Sequence, residues 1–223
     1  MTITVDLWLW PLDAAGDAAC LSGDEAARAA RFVRPADATA FRNARAGLRR
    51  ILGAYLDRPA ADLAFSYGPE GKPGLPGGPA FNLSHSGRWA ALAVTAEDIR
   101  LGIDIEAHRS VEQDVARRFF SPAEIAALAR LSGPDWIEGF FQTWTRKEAF
   151  VKALGRGLHR PLDSFDVTLG PAPRIARIAE GGEADWQMAD LATGPGYAGA
   201  LAVEARGRPL RLALREGRLP LAP

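Results

Sequence analysis

Cysteine is nearly missing from this 223-residue chain: Cys20 stands alone. No internal disulfide and no cysteine cage for a metal can form, and the composition suits a reducing cytoplasm. Net charge is missing as well. The 27 Lys+Arg balance 27 Asp+Glu, which excludes a uniformly basic nucleic-acid binder and an acidic disordered chain. No apolar run approaches the ~20 residues that span a bilayer, and the first ten residues carry Asp6 and no basic head, unlike a signal peptide. A cytoplasmic protein without membrane contact is expected. What is present is ordinary: 48% hydrophobic and 24% charged residues can close a core unaided. The length suits one large domain or two small ones.

Periodicity supplies the elements. Residues 2–10 alternate polar Thr2, Thr4 and Asp6 with apolar Ile3, Val5, Leu7 and Leu9, the period of a half-buried strand, which Pro11 ends. Residues 24–33 and 38–56 read as helices; in the second, Phe41, Leu48, Ile51, Leu52 and Tyr55 recur on one face. Glycines and prolines crowd between residues 66 and 79 and predict a loop without regular structure. Strands are expected at 90–94 and 99–106, and helices at 122–131 and 136–154, with Gly155 and Gly157 stopping the last. Residues 165–215 read mainly as strands and turns. The segment 87–96 (GRWAALAVTA) echoes 196–205 (GYAGALAVEA), as two similar halves meeting near residue 100 would. A cleft between such halves is a natural seat for a small molecule.

Chemistry gathers at a few places. Alternation in the 99–106 strand sends Ile103 and Ile105 inward and sets Asp104 and Glu106 side by side on the other face. Paired carboxylates repel unless a cation relieves them, and a few hard oxygens suit Mg²⁺ bridging to a phosphate; a solvated strand face carries the same pattern. In the 136–154 helix, Phe141, Trp144, Thr145, Glu148 and Lys152 share a face. A charged pair beside two aromatics points to function or a partner more than to a surface ion pair. His85 lies between Ser84 and Ser86 with Gly87 following, material for holding a phosphate close to the backbone. Charge is segregated: seven arginines against three acids over 24–52, six acids against two arginines over 97–114, and five basic residues against Glu148 over 145–160. The zero sum divides into opposed patches that suit one small polyanion carrying a metal.

In their order and spacing these features resemble the 4'-phosphopantetheinyl transferase superfamily, in its longer, two-halved, Sfp-like class. The resemblance is carried by Gly71-Lys72-Pro73, by Phe81-Asn82-Leu83-Ser84-His85-Ser86-Gly87 and by Gly102-Ile103-Asp104-Ile105-Glu106. It continues through Arg118-Phe119-Phe120-Ser121 with Glu124, and through the Trp144-Thr145-Arg146-Lys147-Glu148-Ala149-Phe150-Val151-Lys152 helix to Gly155-Arg156-Gly157-Leu158. It implies an α/β (α+β) fold of two similar halves related by pseudo-two-fold symmetry, residues 1–98 and 99–223. Each half would be a small, mostly antiparallel sheet packed on a long helix, with the active site in the cleft between them.

The implied reaction moves the 4'-phosphopantetheine arm of coenzyme A onto a serine of an apo acyl, peptidyl or polyketide carrier protein and releases adenosine 3',5'-bisphosphate, catalysed by a monomer. Asp104, Glu106 and Glu148 would hold Mg²⁺ on the pyrophosphate, which Lys152 would contact. His85, Arg28 and Arg45 would meet the 3'-phosphate, and Lys72, Pro73 and Ser84 would border the nucleotide. Gly74 follows where the family often has an aromatic. Glu148, or else Glu124, would be the general base, directly or through a metal-bound water. Arg117, Arg118 and Arg130 near Phe119 and Phe120 would form the rim that receives the carrier. Two other classes could use the same residues: a metal-dependent phosphohydrolase of coenzyme A or a related nucleotide, and a non-catalytic carrier-domain binding protein.

Overall fold

A computed structural model describes residues 1–13, 18–155 and 160–215. The Arg156-Gly157-Leu158 end of the last motif lies outside the described residues. The fold is mixed α+β, built on two small sheets back to back, each covered by one long helix.

β1 (Ile3–Pro11) sits in the first sheet between β5 (Trp89–Thr95) and β11 (Leu210–Arg215), with β4 (Ala80–Ser86) beyond β5. β6 (Leu101–Ala107), β10 (Tyr197–Glu204) and β9 (Trp186–Asp190) form the second, in that order. Strand alternation divides the apolar residues between two layers. Ile3, Val5, Ala91 and Ala93 meet Ile103, Ile105, Leu201 and Val203 between the sheets. On the opposite side of β5, Ala90, Leu92 and Val94 pack against Leu48, Ile51 and Leu52 of α2 (Pro35–Leu56). On the opposite side of β10, Ala200 and Ala202 pack against Ala149, Phe150 and Ala153 of α5 (Gly133–Leu154).

The two sheets repeat one topology. β1, α2, β4 and β5 give the order β1-β5-β4, and β6, α5, β9 and β10 give β6-β10-β9, antiparallel throughout. The echoed segments 87–96 and 196–205 contain the corresponding strands β5 and β10. The chain then returns: β11 adds to β1 in parallel, so residues 210–215 complete the first sheet.

Several local expectations are corrected. The first helix, α1 (Gly23–Ala29), stops short of residue 33; Ser22 and Glu25 form a capping box at its start, and Val33 is fully exposed beyond it. The Gly/Pro-rich loop contains a miniature hairpin, β2 (Ser66–Tyr67) with β3 (Pro73–Gly74), turned at Gly71 with φ 76°. β4 was not among the expected strands, although Asn82, Ser84 and Ser86 alternate with Phe81 and Leu83 along it. Two short helices, α3 (Gln113–Phe119) and α4 (Pro122–Leu128), precede α5. Among the described residues no helix is long and apolar enough to cross a membrane.

Candidate active site

β6 lies directly on α5, and the contact is close because Gly102 has no side chain: a Cβ there would come within 2.1 Å of the Ala149 carbonyl oxygen. Asp104 and Glu106 follow Gly102 on the same face, so both carboxylates are delivered to the helix that carries Glu148 and Lys152, one turn apart. The Lys152 ammonium meets Asp104 Oδ1 at 2.6 Å and Ser84 Oγ at 2.9 Å. Ser84 donates to the same Asp104 oxygen at 2.8 Å. Ser86 donates to Glu106 Oε2 at 2.7 Å, and Arg109 reaches that oxygen at 3.1 Å.

The electrostatics identify what this group lacks. Burial raises the pKa of Asp104 despite Lys152 and Ser84, which oppose it. Burial also raises that of Glu148, with repulsion from Asp104 and Glu106 adding to it and Lys152 opposing. Asp104 Oδ2 is buried without a hydrogen-bond partner, a costly condition for a carboxylate oxygen. Mutually repelling hard oxygens with one unsatisfied are the donor set a small divalent cation suits. As they stand, no three His, Cys, Asp or Glu side chains among the described residues are arranged to hold a metal ion, and Lys152 supplies the positive charge at Asp104 instead.

Beside this group lies a rim of nitrogen-bearing side chains. His85 points from the other face of β4 and is solvent-exposed. Surrounding protein lowers its pKa, as do the nearby charges of Lys152 and Arg28, against the pull of Glu106. Arg28 is exposed at the end of α1 with its guanidinium over the Phe41 ring. Lys72, Pro73, Asn82 and Lys152 line a cavity of about 170 Å³ next to the carboxylates. Lys72 spans it at the base, donating to the carbonyls of Leu101 and Lys152 at 2.9 and 2.6 Å.

Burial first, then the charge of Arg100, lowers the Lys72 pKa to about 8. The fold therefore carries a penalty for the charged lysine below pH 8, lifted as pH rises from about 8 to the 10.5 of a free lysine side chain. Wild type should gain stability relative to Lys72→Met over that window in urea melts; a pH-independent difference would remove the assignment.

Four expected site residues are placed elsewhere in the chemistry. Glu124 is 4% exposed and fully engaged: Oε1 takes the Lys147 ammonium and the Val167 N–H at 2.8 Å each, and Oε2 takes the Ser121 N–H at 2.9 Å. Both of its oxygens are thus held by structural partners. Arg45 is buried against Glu25, which it shares with Arg49. Burial works against the Glu25 charge, yet the Ser22 N–H and the two guanidiniums hold its carboxyl below the usual range. Arg45 thus anchors α1 to α2 rather than facing a phosphate. Ser84 is buried and turned to Asp104 rather than to the cavity. Phe120 is 2% exposed within an aromatic cluster of Phe140 and Trp144, so it offers no docking surface. Its neighbours Arg117, paired with Asp114, and Arg118, over the Phe119 ring, do reach solvent.

Sequence reasoning counted Arg146 and Lys147 toward a basic patch, but both are fully buried. Arg146 forks onto Asp190 and caps the carbonyls of Thr168 and Gly170. Lys147 donates to the Leu162 and Phe165 carbonyls at 2.7 Å each. Only a helical wheel drawn with the sheet in place separates these inward cations from Glu148 and Lys152.

Residues 100–202 match the 4'-phosphopantetheinyl transferase superfamily. Over 216 residues the chain is 36% identical to the 4'-phosphopantetheinyl transferase HetI of Nostoc sp., covering 91% of this chain and 89% of that protein. It is 37% identical over 162 residues to a 4'-phosphopantetheinyl transferase of Bacillus subtilis, covering 68% and 67%. With the 4'-phosphopantetheinyl transferase Sfp of Bacillus subtilis it shares 38% over 124 residues, 55% of this chain and 54% of Sfp. The chain belongs to the 4'-phosphopantetheinyl transferase superfamily. Within it, this is a phosphopantetheinyl transferase of the Sfp-like class.

Proposed function

We propose that this transferase carries out its reaction at the junction of β4, β6 and α5, moving the 4'-phosphopantetheine arm of coenzyme A onto a serine of an apo carrier protein. The observation that carries the reading is the meeting of Asp104, Glu106, Glu148 and Lys152 beside a rim that carries Arg28, His85 and Lys72. The serine oxygen attacks the β-phosphorus, the bond from that phosphorus to the bridging oxygen breaks, and adenosine 3',5'-bisphosphate leaves. Negative charge grows on phosphate oxygens, so the work of the site is positioning and charge compensation.

Asp104, Glu106 and Glu148 would hold Mg²⁺. Bound there, it supplies neutralisation of the pyrophosphate and a lowered pKa for the attacking hydroxyl or a bound water. Lys152 is the side chain to leave Asp104 and take a pyrophosphate oxygen. Arg28 and His85 take the 3'-phosphate, a task from which Arg45 is released by its pairing with Glu25. The nucleotide lies along Lys72 and Pro73. Glu148 accepts the serine proton, directly or through a water; burial and two neighbouring carboxylates raise its proton affinity in the metal-free fold, and a bound Mg²⁺ would lower it. Both halves of this site lie on one chain, so a monomer suffices, and a lone buried cysteine fits a cytoplasmic setting.

Incubated with coenzyme A, Mg²⁺ and a panel of apo carriers, the protein should raise the mass of at least one carrier by one phosphopantetheine group. Cleavage of coenzyme A without any carrier, and no gain on any carrier, would instead make it a phosphohydrolase.

A further inference from the structure

The two sheets meet along β4 and β6, and the join is made by side chains. The N–H groups of Ile103, Ile105 and Ala107 donate to Asn82 Oδ1 at 2.8 Å, Ser84 Oγ at 3.4 Å and Ser86 Oγ at 3.1 Å. Residues 82, 84 and 86 share one face of β4, so short polar side chains at a two-residue period are matched rung for rung to alternate amides of β6. Without them three amides at a largely buried junction would lack partners.

Two rungs do more than join. A serine hydroxyl has one proton to give and two lone pairs to offer. Ser84 and Ser86 each accept an amide of β6 and give their proton to the carboxylate that precedes it: Ser84 to Asp104 at 2.8 Å, Ser86 to Glu106 at 2.7 Å. Asn82 takes its amide and touches no carboxylate.

We infer that Ser86, with Ser84 beside it, is a positioning residue: it couples the register between the halves to the aim of the acidic pair, holding Glu106 toward Asp104 and Glu148. Glu106 has a competing partner in Arg109, whose side chain is 60% exposed. Without the Ser86 hydroxyl, Arg109 draws the carboxylate toward solvent. This inference rests on the reading of Asp104, Glu106 and Glu148 as metal ligands.

The test reads metal binding directly, with Mn²⁺ as the probe in the presence of coenzyme A, by electron paramagnetic resonance. Ser86→Ala should weaken Mn²⁺ binding by about tenfold or more, as loss of an outer partner of a metal ligand does, with the KM for coenzyme A at saturating metal changed by less than about twofold. Ser86→Thr, which keeps the hydroxyl, should restore binding. Asn82→Ala removes the rung without a carboxylate and should lower the melting temperature while leaving Mn²⁺ affinity in place. Wild-type Mn²⁺ affinity in Ser86→Ala, or equal losses in Ser86→Ala and Asn82→Ala, would overturn the inference alone. A wild-type protein that binds no Mn²⁺ would overturn the metal reading and this inference with it.

Discussion

Glu148→Gln melts no lower than wild type in the absence of divalent cations, and transfers phosphopantetheine at least about a hundredfold more slowly, the scale of losing one preorganised contact to developing charge. The two halves of this result have one cause. Burial and repulsion from Asp104 and Glu106 raise the pKa of Glu148, while Lys152 offsets only part of the strain. The charge is thus unfavourable in the empty fold, and the isosteric amide relieves it. Function sites are where a fold keeps a charge that its own stability does not favour. Calorimetry in EDTA and a carrier mass-shift assay at saturating coenzyme A read the two halves separately. Transfer within threefold of wild type, a bound set by about 0.7 kcal/mol of lost transition-state stabilisation, would take Glu148 out of the site.

The carboxylates and helix of this candidate site were legible because local rules decide them. A two-residue period put Asp104 and Glu106 on one face, and a 3.6-residue period put Glu148 and Lys152 one turn apart. What sequence misjudged were charges satisfied from a distance. Arg45 and Arg49 close on Glu25, twenty and more positions earlier, and Arg146 closes on Asp190, 44 positions later. Counting charge along the chain gives strongly basic stretches; the fold neutralises part of each inside. β4 was missed for a related reason. Asn82, Ser84 and Ser86 show no pairing partner until the amides of β6 stand opposite them, and that opposition depends on the topology of both halves. The return of β11 to β1 is long-range pairing of the same kind, with no local signature.

Glu124 separates two readings that predict opposite results. As a general base, Glu124→Gln would fold normally and lose turnover. As placed here, it loses stability and, where folded, retains turnover. Glu124 Oε1 lies 2.8 Å from Lys147 Nζ, with side chains 3% and 0% exposed. Burial lowers the pKa of Lys147, and Glu124 is the largest influence holding its charge in place. The same carboxylate receives the Val167 amide from β7 (Phe165–Val167) and caps α4 through Ser121, so three elements of the second half meet on it. Removing one partner of a buried pair strands the other charge, at a cost of about 3–5 kcal/mol, a large share of the roughly 5–15 kcal/mol that holds a typical domain folded. Lys147→Met should cost a similar amount, and the Glu124→Gln, Lys147→Met double variant should recover part of the sum, because no charge is left unpaired. Urea unfolding gives the stabilities, and single-turnover transfer at low temperature, normalised to folded protein, gives the rate. A stable Glu124→Gln protein whose rate collapses would return Glu124 to the reaction; loss of stability with an unchanged rate fixes it as the knot that holds α4 and β7 to the helix bearing Glu148 and Lys152.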